Sequence, residues 1–216
     1  VTVATLLAGV DEVGRGSIFG PVVAAAVCVA IADLPKLMDL GVKDSKQLSA
    51  AHRQQLVPLI KTGVIAWHIS YADVLEIESL NIRRASLLAM QRCLLKLPQA
   101  PTLCLIDGRD TIPDLPFPQE AIIRGDQQSP AIAAASILAK VWRDDLMIRL
   151  AKTFPQYDLA ANKGYGTKKH QLALQAHGLT PLHRPKFCQK LLVVCQAKDC
   201  EFEGKWRGYS LPQQIS

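Results

Sequence analysis

Two apolar runs separated by a short glycine-bracketed link constrain this chain most. Leu6-Leu7-Ala8-Gly9-Val10 ends in Asp11-Glu12, Gly14-Arg15-Gly16 follows, and a second valine- and alanine-rich run extends from Pro21 to Ile31. Both runs predict strands, and a link this short leaves no room for a helical crossover, so they must form an antiparallel hairpin. That excludes a dinucleotide-binding unit, in which a glycine-rich turn would open a helix; here Gly14-x-Gly16 leads to Pro21 and another strand. The acids at the end of the first run are the second constraint. A carboxylate desolvated at the end of a core strand costs several kcal/mol (roughly 2–7 for a neutral polar group, more for a charge) unless a partner holds it. A pair of this kind, taken alone, reads equally well as a partner for Arg15 or as a turn cap.

Two later stretches repeat the design. Leu103-Cys104-Leu105-Ile106 stops at Asp107-Gly108, and Ala121-Ile122-Ile123-Arg124-Gly125 reaches Asp126. Ligands of open sheets bind in the crevice at strand ends, so Asp11, Glu12, Asp107 and Asp126 are expected to converge. Like charges about 4 Å apart repel by about 4 kcal/mol at an effective dielectric near 20, and divalent cations remove that repulsion. Oxygen donors without histidine or cysteine suit Mg²⁺ or Mn²⁺ better than Zn²⁺, and two such ions can clamp a phosphodiester for in-line attack by water. Asp144 competes for the fourth acidic position. It stands four residues after Lys140 on one helix face, and a helix salt bridge is the preferred reading.

The segments GVDEVGRG with GPVVAAAV, KDSKQL, LNIRRASLLAMQR, LIDG, RGD, SPAIAAASILAKVWRDDLM, FPQYDLAANKGYGT and HGLTPLHRPKF occur in this order between about Leu7 and Phe187. Together they resemble the ribonuclease HII family. The resemblance implies a ribonuclease H-like α/β fold, a mixed sheet of about five strands flanked by helices, with a helical C-terminal part that helps grip the duplex. It implies an endonuclease that hydrolyses the RNA strand of RNA–DNA hybrids, including single ribonucleotides embedded in duplex DNA, leaving 5′-phosphate and 3′-hydroxyl ends. Asp11, Glu12, Asp107 and Asp126 would be both catalytic residues and metal ligands. The Gly14-Arg15-Gly16 turn would present backbone groups to the ribose 2′-hydroxyl, the group that separates RNA from DNA at one position, and Tyr165 would stack on the next sugar. Ser17-Ile18-Phe19 after that turn departs from the family pattern. The expected organisation is a catalytic domain over 1–187 and a C-terminal tail, 188–216, without an assigned role.

The rest of the chain fits this frame. A helix is predicted from an N-cap at Ser49 to Ile60, and Lys43, Ser45 and Lys46 just ahead of it make either a phosphate perch or a solvated loop. Val64–Tyr71 predicts a strand, Ala72–Ser79 and Asn81–Lys96 helices, Thr102–Ile106 and Glu120–Ile123 the strands that deliver Asp107 and Asp126. Ser129-Pro130 opens a long buried helix to about Lys152. Asn162-Lys163-Gly164-Tyr165-Gly166-Thr167-Lys168-Lys169-His170 reads as an exposed basic loop or, with its glycines and aromatic ring, as a place where nucleic acid is stacked upon. A net charge of +6 suits a polyanionic partner. No apolar run reaches the ~20 residues of a membrane span and no secretory leader is visible, so a cytoplasmic protein is expected; a monomer is expected as well. Six cysteines lack a C-x-x-C pair, and the spacing of Cys188, Cys195 and Cys200 around His183 matches no zinc site. Two rivals to the nuclease reading are a hybrid-binding module without turnover and a metal-dependent nuclease of the same fold with another substrate, such as a junction resolvase. The complete acidic set argues against the first, since a pure binder gains nothing from carboxylates beside a polyanion.

Overall fold

The computed structural model describes residues 5–42 and 48–192. Strand β1 (Leu6–Val13) pairs antiparallel with β2 (Val22–Ala30) from Leu6↔Ala30 to Val13↔Val23, which is the hairpin that the short link demands. β3 (Ala66–Ala72) continues the antiparallel pairing beyond β2, whereas β4 (Leu103–Asp107) runs parallel to β1 and β5 (Gln119–Ile122) parallel to β4. The mixed sheet therefore has the order β3-β2-β1-β4-β5, with the acid-bearing β1 at its centre. Parallel neighbours need crossovers, and the helices between β3 and β4 supply one.

Helices cover both faces. Leu7 of β1, Ala25, Val27 and Val29 of β2 and Leu105 of β4 share one core with Leu56 and Ile60 of α2 (Ala50–Gly63) and the first turns of α5 (Pro130–Thr153). Alternate strand residues point the other way. There, Cys93 of α4 (Ile82–Leu95) points its thiol at the carbonyl of Ala24, 3.2 Å away. Residues 131–139 of α5 are all buried, Ser136 included, as befits a helix apolar on every side. Gly9 makes that possible, since a Cβ there would overlap the Ala131–Ile132 peptide; only a glycine lets β1 and α5 meet backbone to backbone.

Local chemistry sets the helix starts. Ser49 accepts the His52 N–H at 3.2 Å, and Asp73 with Glu76 forms a capping box for α3 (Val74–Leu80). Asn81, at φ 69°, caps α4 through the N–H groups of Arg83 and Arg84. Such caps contribute about 0.5–2 kcal/mol each. The short α1 (Leu34–Asp39) was not expected, because six residues carry too little apolar periodicity to be read.

The chain divides into two compact units, Val1–Arg15 with Pro21–Leu146, and Gly16–Gly20 with Met147–Ser216. The first contains the sheet. In the second, α6 (Leu159–Asn162), α7 (Lys168–His177) and α8 (Pro185–Leu192) follow the end of α5. Its centre is Phe19, fully buried, with Phe154 at 5.7 Å and His183 at 4.8 Å, both edge-on. Buried Arg184 donates from Nε to the carbonyl of Gly20 at 2.9 Å. The domain end expected at 187 falls inside α8. Lys43, Ser45 and Lys46, and the tail from 193 with Cys195, Cys200 and Trp206, lie outside the described residues.

Candidate active site

Asp11, Glu12 and Asp107 come together where β1 and β4 end. Parallel pairing of these strands stops at Val10↔Ile106, so the next residue of each, Asp11 and Asp107, leaves the ladder side by side. Among the described residues these three acids form a group whose ligand atoms all lie within 4.8 Å of one another. Adjacent strand residues face opposite sides of a sheet, and a bulge would be one way to unite Asp11 and Glu12. None occurs on the β2 side, where the register runs unbroken through Asp11↔Ala25 and Glu12↔Ala24. Instead Asp11 folds back to accept the Glu12 N–H at 2.6 Å, and Glu12 has the longer side chain with which to reach past the strand end.

The carboxylates are held individually. Asp11, 6% exposed, accepts from the Ser136 hydroxyl and the Glu12 N–H. Both bonds favour its charged form, but burial, Glu12 and Asp107 outweigh them and push its carboxyl well above the usual range. Glu12 is also raised, by burial first; Arg15 opposes this and Asp107 adds to it. Arg15 Nη1 donates to Glu12 Oε1 at 3.1 Å, while Glu12 Oε2 is buried with no hydrogen-bond partner among the described residues. Asp107 Oδ1 accepts the Gly125 N–H at 2.7 Å, an amide aimed by Arg124, which sits in the left-handed region at φ 55°. Crowded, desolvated oxygens and one orphaned carboxylate atom are the donor set that a hard divalent cation fits.

Asp126 lies in the turn Gly125–Gln127 that follows β5 and is buried at 6% exposure. Its carboxylate is not in the group of three. Asp144 accepts from Lys140 Nζ at 2.7 Å, the i,i+4 salt bridge that the spacing predicts. Gly14 has φ 90°, Arg15 and Gly16 form the turn after it, and a Cβ on Gly16 would meet open space. Tyr165, half-buried, belongs to the second unit, in the turn between α6 and α7.

Two residues that matter here were missed in the sequence. Ser136 had a weak signal, a hydroxyl amid an alanine run. Arg143 had none. It is fully buried in α5, donates from Nε to the Pro21 carbonyl at 3.2 Å and packs its guanidinium against Gly14.

A family model described as Ribonuclease HII matches residues 8–190. The chain is 59% identical over 186 residues to a ribonuclease HII of Synechocystis sp., covering 86% of this chain and 98% of that one. Its fold is similar to a crystal structure of ribonuclease H2 from Pyrococcus horikoshii, with a TM-score of 0.77 at 23% identity over 89% of this chain and 100% of the other. It is also similar to Bst-RNase HIII solved in complex with Mn²⁺, with a TM-score of 0.68 at 22% identity over 89% and 71%. The acids that close β1 and β4 thus stand in a recognised framework, and the chain belongs to the ribonuclease HII family.

Proposed function

We propose that this protein hydrolyses the RNA strand of RNA–DNA hybrids, including single ribonucleotides within duplex DNA, leaving a 5′-phosphate on the ribonucleotide-containing fragment and a 3′-hydroxyl on the other. The observation that carries the reading is the trio Asp11, Glu12 and Asp107 with ligand atoms within 4.8 Å of one another, Glu12 Oε2 being buried and without a hydrogen-bond partner among the described residues. These residues, with Asp126, would hold two divalent ions, Mg²⁺ or Mn²⁺. The chemistry such ions supply when bound is activation of water and charge stabilisation at the scissile phosphate.

The protein's own groups prepare that site. The Ser136 hydroxyl and the Glu12 amide orient Asp11, the Gly125 amide orients Asp107, and Arg15 fixes one oxygen of Glu12 while leaving the other available. No side chain acts as nucleophile. The turn of Gly14, Arg15 and Gly16 presents backbone groups to the 2′-hydroxyl, Tyr165 stacks on the following sugar, and Lys43, Ser45 and Lys46 take phosphates. On this reading residues 1–187 carry catalysis, and the protein works as a cytoplasmic monomer. Among the described residues no helix is long and apolar enough to cross a membrane.

Incubation with a labelled DNA duplex carrying one ribonucleotide, in Mg²⁺, Mn²⁺ or EDTA, tests the proposal. Cleavage at the ribonucleotide with metal and none in EDTA is expected. Binding without cleavage in either metal would leave a hybrid-binding module, and equal cleavage of an all-DNA junction would point to a different nuclease.

A further inference from the structure

Two buried imidazoles meet in the second unit. His170 Nε2 and His183 Nε2 are 3.1 Å apart, and the rings are 0% and 1% exposed by residue. Their outer nitrogens decide which one donates. His170 Nδ1 lies 3.0 Å from the carbonyl oxygen of Tyr165, which can only accept, so Nδ1 carries the proton. His183 Nδ1 receives the Thr180 N–H at 2.9 Å, so it carries none and its proton is on Nε2. The hydrogen bonds then run one way, from Thr180 N–H to His183, from His183 Nε2–H to His170 Nε2, and from His170 Nδ1–H to Tyr165. Burial holds both rings neutral, His183 pushed down to about 3 and His170 below its ordinary value, as this direction requires. Both nitrogens of His183 are engaged, so it has no lone pair to offer a metal.

The relay ends on a turn pinned from its other side. Gly164 carbonyl accepts from Ser17 Oγ at 2.7 Å and from the amides of Ile18 and Phe19, and the Gly164 amide donates to Asn162 Oδ1 at 2.8 Å. Gln171 Nε2 donates to the carbonyl of Gly166 at 2.7 Å. Tyr165 carbonyl also accepts from the Thr167 amide, a bond within the turn itself, whereas the imidazole bond ties that peptide to a buried side chain of the unit. We propose that His170 and His183 are positioning residues that fix the main chain of Tyr165, and so the plane its ring offers to the sugar after the ribonucleotide; this rests on the stacking role given to Tyr165 above.

The side-chain amides test it, because asparagine places its N–H where Nδ1 stands and glutamine where Nε2 stands. The readout is the ratio of kcat/KM on a single-ribonucleotide duplex to that on a continuous hybrid, with thermal midpoints alongside. Tyr165→Ala should lower the ratio, roughly tenfold if the stacking contact is lost. His170→Asn, which can still donate to the Tyr165 carbonyl, should stay near wild type, while His170→Gln falls toward Tyr165→Ala. At His183 the relay leaves from Nε2, so the order must reverse, with His183→Gln holding the ratio and His183→Asn losing it. Adding His170→Gln to Tyr165→Ala should cost no further selectivity. A packing role alone would make the ratio follow the thermal midpoints, with no reversal between the two positions, and that result overturns the proposal. If Tyr165→Ala leaves the ratio unchanged, the stacking assignment itself fails and takes the relay's role with it. If Tyr165→Ala lowers it while His170→Gln and His183→Asn do not, only the positioning role falls.

Discussion

Gly14 rests on the guanidinium of Arg143, so that a Cβ on the glycine would overlap the Nε, Cζ and Cδ atoms of that side chain. The residue that begins the turn beside the acids is therefore confined twice, by its own φ of 90° and by a buried cation beneath it. Arg143 is held in turn by the Pro21 carbonyl, 122 residues away in the chain. The role proposed for this turn, reading a 2′-hydroxyl with its backbone, would need such a floor, because backbone groups cannot change rotamer to recover a lost contact.

Gly14→Ala is expected to destabilise the protein by at least about 1–3 kcal/mol, the cost of a non-glycine residue in a strained backbone region, with the overlap on Arg143 added. Arg143→Ala removes the overlap and leaves the backbone strain. Urea unfolding of both single variants and the double variant should give a double-variant loss smaller than the sum of the singles. Strict additivity would show that Arg143 does not confine Gly14. The same variants should lose discrimination between ribonucleotide-containing and all-DNA duplexes.

Asp107→Asn should lower the cleavage rate by about 10²–10³, the usual scale for a lost transition-state electrostatic contact, while hybrid binding stays equal or tightens because a negative charge has gone. Asp126→Asn should behave in the same direction. Asp144, committed to Lys140 at 2.7 Å, should tolerate Asn with a far smaller loss. A dead Asp144→Asn beside an active Asp126→Asn would exchange their roles.

Ser136→Ala isolates the support of Asp11, one of the proposed metal ligands. The hydroxyl favours the charged form of Asp11 against burial and two neighbouring carboxylates, and a hydrogen bond to a charged group is worth about 1.5–3 kcal/mol. Losing it should raise the metal concentration for half-maximal rate by about tenfold or more, with the rate at saturating metal much less affected. An unchanged metal titration with a reduced plateau would place Ser136 in the chemistry rather than in metal affinity.

These expectations also mark where the sequence could be read. Asp11, Glu12 and Asp107 were legible because each stops an apolar run, so local pattern alone put them at strand ends. The long helix announced itself by Ser129-Pro130 and its alanines, and the salt bridge of Asp144 by a spacing of four. Arg143, Ser136 and the His170–His183 pair were not legible in these roles, since each acts through a partner brought near only by folding. His183 drew notice in the sequence for its nearness to Cys188, but Cys188 is buried with its thiol toward the Ile18 carbonyl at 3.9 Å. The position of Asp126 outside the group of three depends on a tight turn, Gly125–Gln127, whose geometry no periodicity encodes.

The same histidine pair predicts how stability follows pH. His183 has its folded value pushed down to about 3 from an ordinary 6.5 by burial and by His170 beside it, and His170 is lowered by burial against the opposing pull of the Tyr165 carbonyl and Asp158. A depressed folded value means that the unfolded chain binds the proton first, so the stability from these rings is complete above about pH 6.5 and is lost as pH falls, for His183 down to about 3. For His183 the slope is about 1.4 kcal/mol per pH unit within that window. Carboxylates titrate there too, and the raised value of Asp11 acts in the opposite sense, but both contributions are common to wild type and to His183→Gln, which cannot titrate. The difference in unfolding free energy between these two proteins should therefore shrink by about 2 kcal/mol between pH 7 and pH 5, as wild type loses what the variant never had. A difference that stays constant across that range would mean that His183 takes up its proton in the folded state as readily as in the unfolded one, and that the relay does not hold it neutral.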